Sequence, residues 1–462
     1  MKTLTSISPA TLEEVQSYPI HSSEERAIIL SQAQEAQKAW AVSTISLRSN
    51  CLEQLAGVLK DRAREYAKLM AQEMGKPLAQ GVGEVEKCAW LCDYYREHGE
   101  EFLMDRPVET GNAKSFVAIE PLGLVLGVMP WNFPFWQVFR FVLPAITAGN
   151  GAILKHASNV QGCAAAIEAC FMEAGYPDNI FRNLVIPGTR VKEVIEHEAI
   201  AAVTLTGSTP AGKAVAAAAG AVLKKTVLEL GGSDPYVILD DADLDQAVAA
   251  CVSGRLLNAG QSCIAAKRLI VTRKNEVHFI DRLEQELNNK VVGDPMDEVD
   301  MGPMVSIAAR DEVHDQVQRS IASGAALKIG GAIPAETGAY YPITLLTDVK
   351  PGMAAFDEEL FGPVFVVITA EDEDHALELA NQTEFGLGAA VFTADLEKGE
   401  AIARKKLHAG ACFVNDFVKS DPRLPFGGVK NSGYGRELSV YGMMEFVNIK
   451  TISINNSIRG ES

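Results

Sequence analysis

Hydrophobic positions in the first hundred residues recur at helical spacing. SEERAIILSQAQEAQKAWAV and RSNCLEQLAGVLKDRAREYAKLMAQEMG carry apolar residues every three to four positions, which predicts a helix-rich region. The pattern changes from residue 122. Short apolar runs then alternate with helical stretches: LGLVLGVMP, GAILK and a helix from about 160, NLVIP and a helix from about 190, AAVTLT and a helix from about 209, then TVLEL. A second series follows: YVIL and a helix from about 242, RLIVT and one from about 275, VFVVIT and one from about 372, AAVFT and one from about 395, then ACFVN. Strands that alternate with helices predict βαβ units and parallel sheets, here two α/β domains in tandem. The tail FVNIKTISINN is β-branched and reads as an edge strand that pairs with another part of the chain or another subunit.

Composition narrows the class. At 462 residues the chain is too long for one simple core, and 47% hydrophobic with 22% charged residues excludes wholesale disorder. A net charge of -18 with no basic block argues against nucleic-acid binding. The stretch MKTLTSISPATLEEV lacks the apolar core of a secretory signal, and the longest apolar runs fall short of the ~20 residues of a membrane span. The expectation is a cytoplasmic protein without membrane attachment. Eight cysteines show neither C-x-x-C spacing nor a zinc-type cluster, so no metal is expected and most thiols should be reduced, buried and inert.

One cysteine stands apart. NAGQSCIAAKR places Cys263 in a small, polar, glycine-containing setting. An ordinary thiol titrates at about 8.5 and needs activation to serve as a nucleophile. None of the eight histidines belongs to a cysteine-protease signature, which weakens a hydrolase reading. Three other stretches are unusual. In MPWNFPFWQVFR, Pro130 and Pro134 bracket Trp131 and Asn132 after a buried-strand run. Asn132 is either an oxyanion donor or the cap of the next helix. In TVLELGGSDP, Glu229 lies inside an apolar strand, where a carboxylate is either ion-paired in the core or functional. In TLTGSTPAGKAV a strand meets a Gly-Ser turn and a helix, an anion site without the G-x-G-x-x-G pattern.

PWNFP, LKHAS, TGSTPAG, LELGG, GQSC, EELFGPV and PFGGVKNSGYGRE together, in this order, make the chain resemble the aldehyde dehydrogenase superfamily from residue 130 to 437, and the helical amino-terminal region also fits. The resemblance implies an α/β fold with a Rossmann-type cofactor domain, an α/β catalytic domain and a small β oligomerisation element. These would span 1–102 with 122–230, then 231–445, then 103–121 with 446–462. It implies Cys263 as nucleophile, Glu229 as general base for the thiol, the water or both, and Asn132 as oxyanion donor. For NAD(P)+ it implies Trp131, Lys155, Ser158, Gly188, Gly207, Ser208, Gly212, Leu230, Glu359 and Phe361. Relatives that prefer NAD+ carry Glu where this chain has Ser158, so the 2′-phosphate of NADP+ should be tolerated.

Among the branches, the chain looks most like bacterial succinate-semialdehyde dehydrogenases. That likeness implies Arg140 as a clamp on the substrate carboxylate, with Ser420, Trp136 and Phe426 beside it. An arginine ion-paired within the domain is the alternative for Arg140. Two departures stand out. A second arginine of some relatives, six residues before the nucleophile, is Leu257 here, with Arg255 and Arg423 as candidate substitutes. The partner cysteine of a redox disulfide is Ala265. The expected activity is non-acylating oxidation of succinate semialdehyde by a homodimer or homotetramer. A broader range, with glutarate semialdehyde or aliphatic aldehydes, is the first alternative, and a catalytically idle protein on this scaffold is the remote one.

Overall fold

The apolar runs assemble into two large sheets in the computed structural model, which describes residues 2–455. The first sheet runs in the order Gly433–Tyr434, Lys225–Glu229, Ile200–Thr206, Leu124–Met129, Gly151–His156, Phe181–Asn183. All its pairs are parallel except the first. The chain fills one side of Leu124–Met129 and then returns to fill the other. The sheet order therefore reverses there, and ligands of such sheets bind beyond the carboxyl ends at the reversal. Asn132, Gly207 and the Glu229 side chain all lie at that edge.

The second sheet orders Ala326–Ile329, Thr344–Thr347, Val364–Ala370, Ala266–Thr272, Asp234–Ile238, Gly388–Phe392 and Ala411–Val414, with only the first strand antiparallel. Ala266–Thr272 is buried at every position, because helices cover both faces of a parallel sheet. The tail strand Val447–Ile454 pairs antiparallel with Lys114–Pro121 of its own chain, and Arg106–Pro107 completes a three-stranded sheet. Residues 456–462, placed with the oligomerisation element from sequence, lie outside the described residues.

Two differences from the sequence reading concern short or mixed segments. The helical amino-terminal region begins with an antiparallel hairpin, Thr3–Ile7 with Glu14–Pro19. Its local pattern is weak, and a long-range contact ties it down: Ser6 Oγ donates to the buried Glu73 Oε1 at 2.6 Å. Gly433–Tyr434 also leaves its sequence neighbours and pairs with Lys225–Glu229 in the first sheet.

The helix Trp136–Thr147 is buried on all sides. Its amino terminus is capped from the helix Leu78–Leu103: Glu84 Oε1 accepts the N–H groups of Phe135 and Trp136, each at 2.9 Å. Buried Lys76 pairs with the other Glu84 oxygen. A helix with no wet face should contain no polar side chains, yet this one buries Gln137 and Arg140.

Candidate active site

The cysteine loop is held in an unfavourable conformation. Asn258 and Ala259 have φ of 55° and 54°, and Gly260 has 72°. Non-glycine residues in this region cost on the order of 1–3 kcal/mol each and persist only where the surroundings enforce them. At Gly260 a Cβ would lie 2.2 Å from the Gly362 carbonyl oxygen, so only glycine fits. Asn258 donates to the Asn132 carbonyl at 2.8 Å, and Lys267 Nζ donates to the carbonyls of Ser262 at 2.8 Å and Cys263 at 2.7 Å.

Cys263 lines two cavities, one of about 280 Å³ and one of about 1010 Å³. Of the other side chains only Gln137 belongs to both walls. Asn132 lines the larger cavity. Its Nδ2 donates to the Gln261 carbonyl at 3.0 Å, which leaves the second amide hydrogen for an oxyanion. Burial pushes the Cys263 thiol up to about 12, against the pull of Arg140 and Lys267. The resting group is therefore a thiol, and an acceptor for its proton is required.

Glu229 is the buried carboxylate at the end of its strand, and neither of its oxygens has a hydrogen-bond partner. Burial and then the like charge of Glu437 hold it well above the usual carboxylate range, opposed by Arg140 and Arg436. Glu229 lines neither cavity; Gly427, lacking a side chain, leaves room for one of its oxygens.

The larger cavity is walled by Trp131, Gly207, Ser208, Leu230, Glu359 and Phe361, with the Trp131 and Phe361 rings edge-on at 5.9 Å. Ser208 caps the helix Thr209–Ala221, whose first N–H groups face the cavity end of the sheet. Glu359 accepts from Gly232 N–H at 3.1 Å and pairs with Lys267 at 3.2 Å. A Cβ at Gly231 would strike Glu359 at 2.3 Å. Thr206 Oγ1 is buried in this wall without a partner. A cavity of about 1010 Å³ with a helix amino terminus, two aromatic rings and an orphaned hydroxyl fits a dinucleotide. Lys155, Ser158, Gly188 and Gly212 are not among the wall residues. Lys155 and Ser158 lie at the end of Gly151–His156, and Gly212 instead lets its helix close on Leu230, since a Cβ there would meet that side chain at 2.5 Å.

Arg140, Trp136, Ser420 and Phe426 all line the smaller cavity. Arg140 Nε lies 2.7 Å from Glu437 Oε2, its guanidinium covers the Phe426 ring at 4.6 Å, and Nη2 has no hydrogen-bond partner. The arginine is thus both ion-paired and part of the cavity wall. Arg255 and Arg423, the candidate substitutes for a second arginine, are absent from this wall. Arg255 donates to the carbonyls of Val364 and Leu360, and Arg423 pairs with Asp421 at 2.7 Å. Leu257 lines the cavity but brings no charge. Lys267 and Glu437 went unnoticed in the sequence, although a lysine inside the buried run AKRLIVT carries the same signal as Glu229 in its strand. Among the described residues, no group of three or more His, Cys, Asp or Glu side chains is arranged to hold a metal. No described helix is long and apolar enough to cross a membrane.

Residues 1–452 match the family model described as "Aldehyde dehydrogenase family". A Synechocystis protein named "Probable succinate-semialdehyde dehydrogenase [NADP(+)]" is 46% identical over 98% of this chain and 99% of its own. The Escherichia coli "Succinate semialdehyde dehydrogenase [NAD(P)+] Sad" is 46% identical over 97% of each chain. A crystal structure of succinic semialdehyde dehydrogenase from Streptococcus pyogenes with NADP+ superposes with a TM-score of 0.95 at 37% identity, covering 98% of this chain and 100% of that one.

Proposed function

This chain belongs to the aldehyde dehydrogenase family, and from that premise we propose that it oxidises succinate semialdehyde to succinate with NADP+ or NAD+ and water. The observation that carries the reading is the position of Cys263 where a dinucleotide-sized cavity meets a small one walled by Arg140. Glu229 takes the Cys263 proton, and Sγ attacks the aldehyde carbon. The scheme requires the Glu229 side chain to turn toward the thiol, a movement that breaks no hydrogen bond because its oxygens have none. The carbonyl electron pair moves to oxygen, where the free Asn132 amide hydrogen meets it; one such donor contributes about 3 kcal/mol of barrier lowering. A nicotinamide held by residues of the larger cavity, Trp131, Glu359 and Phe361 among them, would supply the hydride acceptor. Glu229 then releases the thiol proton to solvent, and a water attacks the Cys263 thioester and gives a proton to the freed Glu229. C–S cleavage expels the acid, which loses its proton as the carboxylate, and the departing thiolate recovers the proton from Glu229.

Arg140 Nη2 and Ser420 hold the substrate carboxylate in this scheme. Initial rates with succinate semialdehyde, glutarate semialdehyde and butanal test it in wild type and Arg140→Ala. The variant is expected to lose ~2–4 kcal/mol in kcat/KM for the two carboxylate-bearing substrates and less for butanal. Equal losses for all three would assign Arg140 to the Glu437 ion pair alone. Ser158→Glu should lower kcat/KM for NADP+ roughly 10- to 100-fold while sparing NAD+, because it sets a carboxylate against the 2′-phosphate. No change in the NADP+/NAD+ ratio would place Ser158 away from that ribose. The free cysteines support a cytoplasmic setting. The exposed Ile449 and Ile454 on the three-stranded sheet support its use between subunits of a homodimer or homotetramer.

A further inference from the structure

The wall of the smaller cavity contains three cationic side chains that differ in one respect. Arg140 pairs with Glu437 at 2.7 Å, and Lys419 pairs with Asp416 at 2.5 Å. Lys87, among the described residues, forms no ion pair. Its Nζ donates to Ser420 Oγ at 3.0 Å and lies 4.4 Å from the centre of the Trp136 ring. Glu84, one turn earlier on its own helix, is committed to Lys76 and to two backbone N–H groups. The cavity wall is therefore left with one half-buried cation that forms no ion pair among the described residues; Asp421, whose carboxylate acts on it more strongly than Glu84, is held by Arg423 at 2.7 Å. A charge that has lost part of its hydration gains from a partner, so a half-buried cation in this wall suits an anion that arrives from outside.

Ser420 points to the same occupant. Its Oγ accepts from Lys87 Nζ and from Trp136 Nε1, both at 3.0 Å. A hydroxyl oxygen has two acceptor sites, so both are taken and the O–H remains to donate. Lys87 likewise has two further N–H groups. Gly83, one turn earlier on the same helix face, lines the same cavity, and a Cβ built there would meet nothing within 4 Å, so that side of the helix is open.

We infer that Lys87 is a specificity residue of this enzyme: its ammonium, with the Ser420 hydroxyl, binds the carboxylate of the semialdehyde while Cys263 takes the aldehyde end. This rests on the semialdehyde reading above and adds to it a second cation that shares the anion with Arg140. Burial and then the neighbouring Arg140 lower the Lys87 ammonium to about 8, as expected for a site built to gain a counter-ion.

The test is the ratio of kcat/KM for succinate semialdehyde to that for butanal, which has the same four carbons with a methyl in place of the carboxylate. Lys87→Gln removes the charge but keeps an amide donor for Ser420; Lys87→Met removes both; Lys87→Arg keeps the charge. The ratio should fall roughly 10- to 100-fold in the Gln and Met variants, the loss that follows removal of a charged hydrogen bond, mainly through KM for the semialdehyde, and should be largely kept in Lys87→Arg. Lys87→Gln disturbs packing least and carries the test alone where Lys87→Met does not fold. A wild-type ratio preserved in Lys87→Gln overturns the inference and leaves the semialdehyde reading intact. A wild-type ratio near one overturns that reading itself, and the inference with it.

Discussion

Cys263→Ala should abolish aldehyde oxidation, with a fall in kcat on the order of 10⁶-fold, the scale seen when a covalent nucleophile is removed. The size of the effect follows from the position of the residue. Cys263 lines both cavities, so no other thiol can attack an aldehyde in the smaller one while its carbon faces the larger. Cys51, Cys88, Cys92, Cys163, Cys170 and Cys251 are buried, and Cys412 lines neither cavity. The strained turn before Cys263 is held by Asn132, Gln80 and Lys267 rather than by the thiol, so the variant should fold. Reduced-cofactor formation and melting temperature, measured together, check this. A folded Cys263→Ala protein with more than a trace of activity would remove the covalent route.

Glu229→Gln should lower kcat by roughly 10²- to 10⁴-fold. Because burial holds the Cys263 thiol near 12, its proton must be taken by a base during acylation as well as during hydrolysis. The variant should therefore lose the first turnover along with the steady state. A full burst of reduced cofactor, one per site, would restrict Glu229 to hydrolysis. The pH profile carries the same argument. Burial and Glu437 raise the Glu229 carboxyl, so its basic form grows as pH rises and disappears as pH falls. Wild-type kcat/KM should climb from neutral to alkaline pH with a limb that Glu229→Gln lacks. The substitution also removes a buried carboxylate without hydrogen bonds, so it should not lower the melting temperature.

What the sequence made legible follows from how local each signal is. The strand Leu124–Met129 is a continuous apolar run, and Ala266–Thr272 carries one at Leu269–Val271; such runs are visible without tertiary knowledge. The strands Ala326–Ile329 and Thr344–Thr347 have four residues each, too few for a period to emerge. Glu229 drew notice as a charge in an apolar strand. Lys87 did not, because on a mostly polar helix surface a lysine at helical spacing looks like any solvated one. Only the packing of Leu78–Leu103 against Trp136–Thr147 sets it over the Trp136 ring. Arg140 shows the opposite limit. Both of its roles, carboxylate clamp and ion-paired arginine, were weighed from sequence, but its partner Glu437 comes from nearly three hundred residues away and appears only once the chain is folded.

The most direct measurement is the wild-type initial rate with NADP+ and succinate semialdehyde, in the absence of coenzyme A, with the product identified. The expected result is one succinate formed per reduced cofactor, at a kcat/KM at least ~10-fold above that for butanal, the margin of one charged hydrogen bond. Equal turnover of butanal, or a requirement for coenzyme A, would contradict the account.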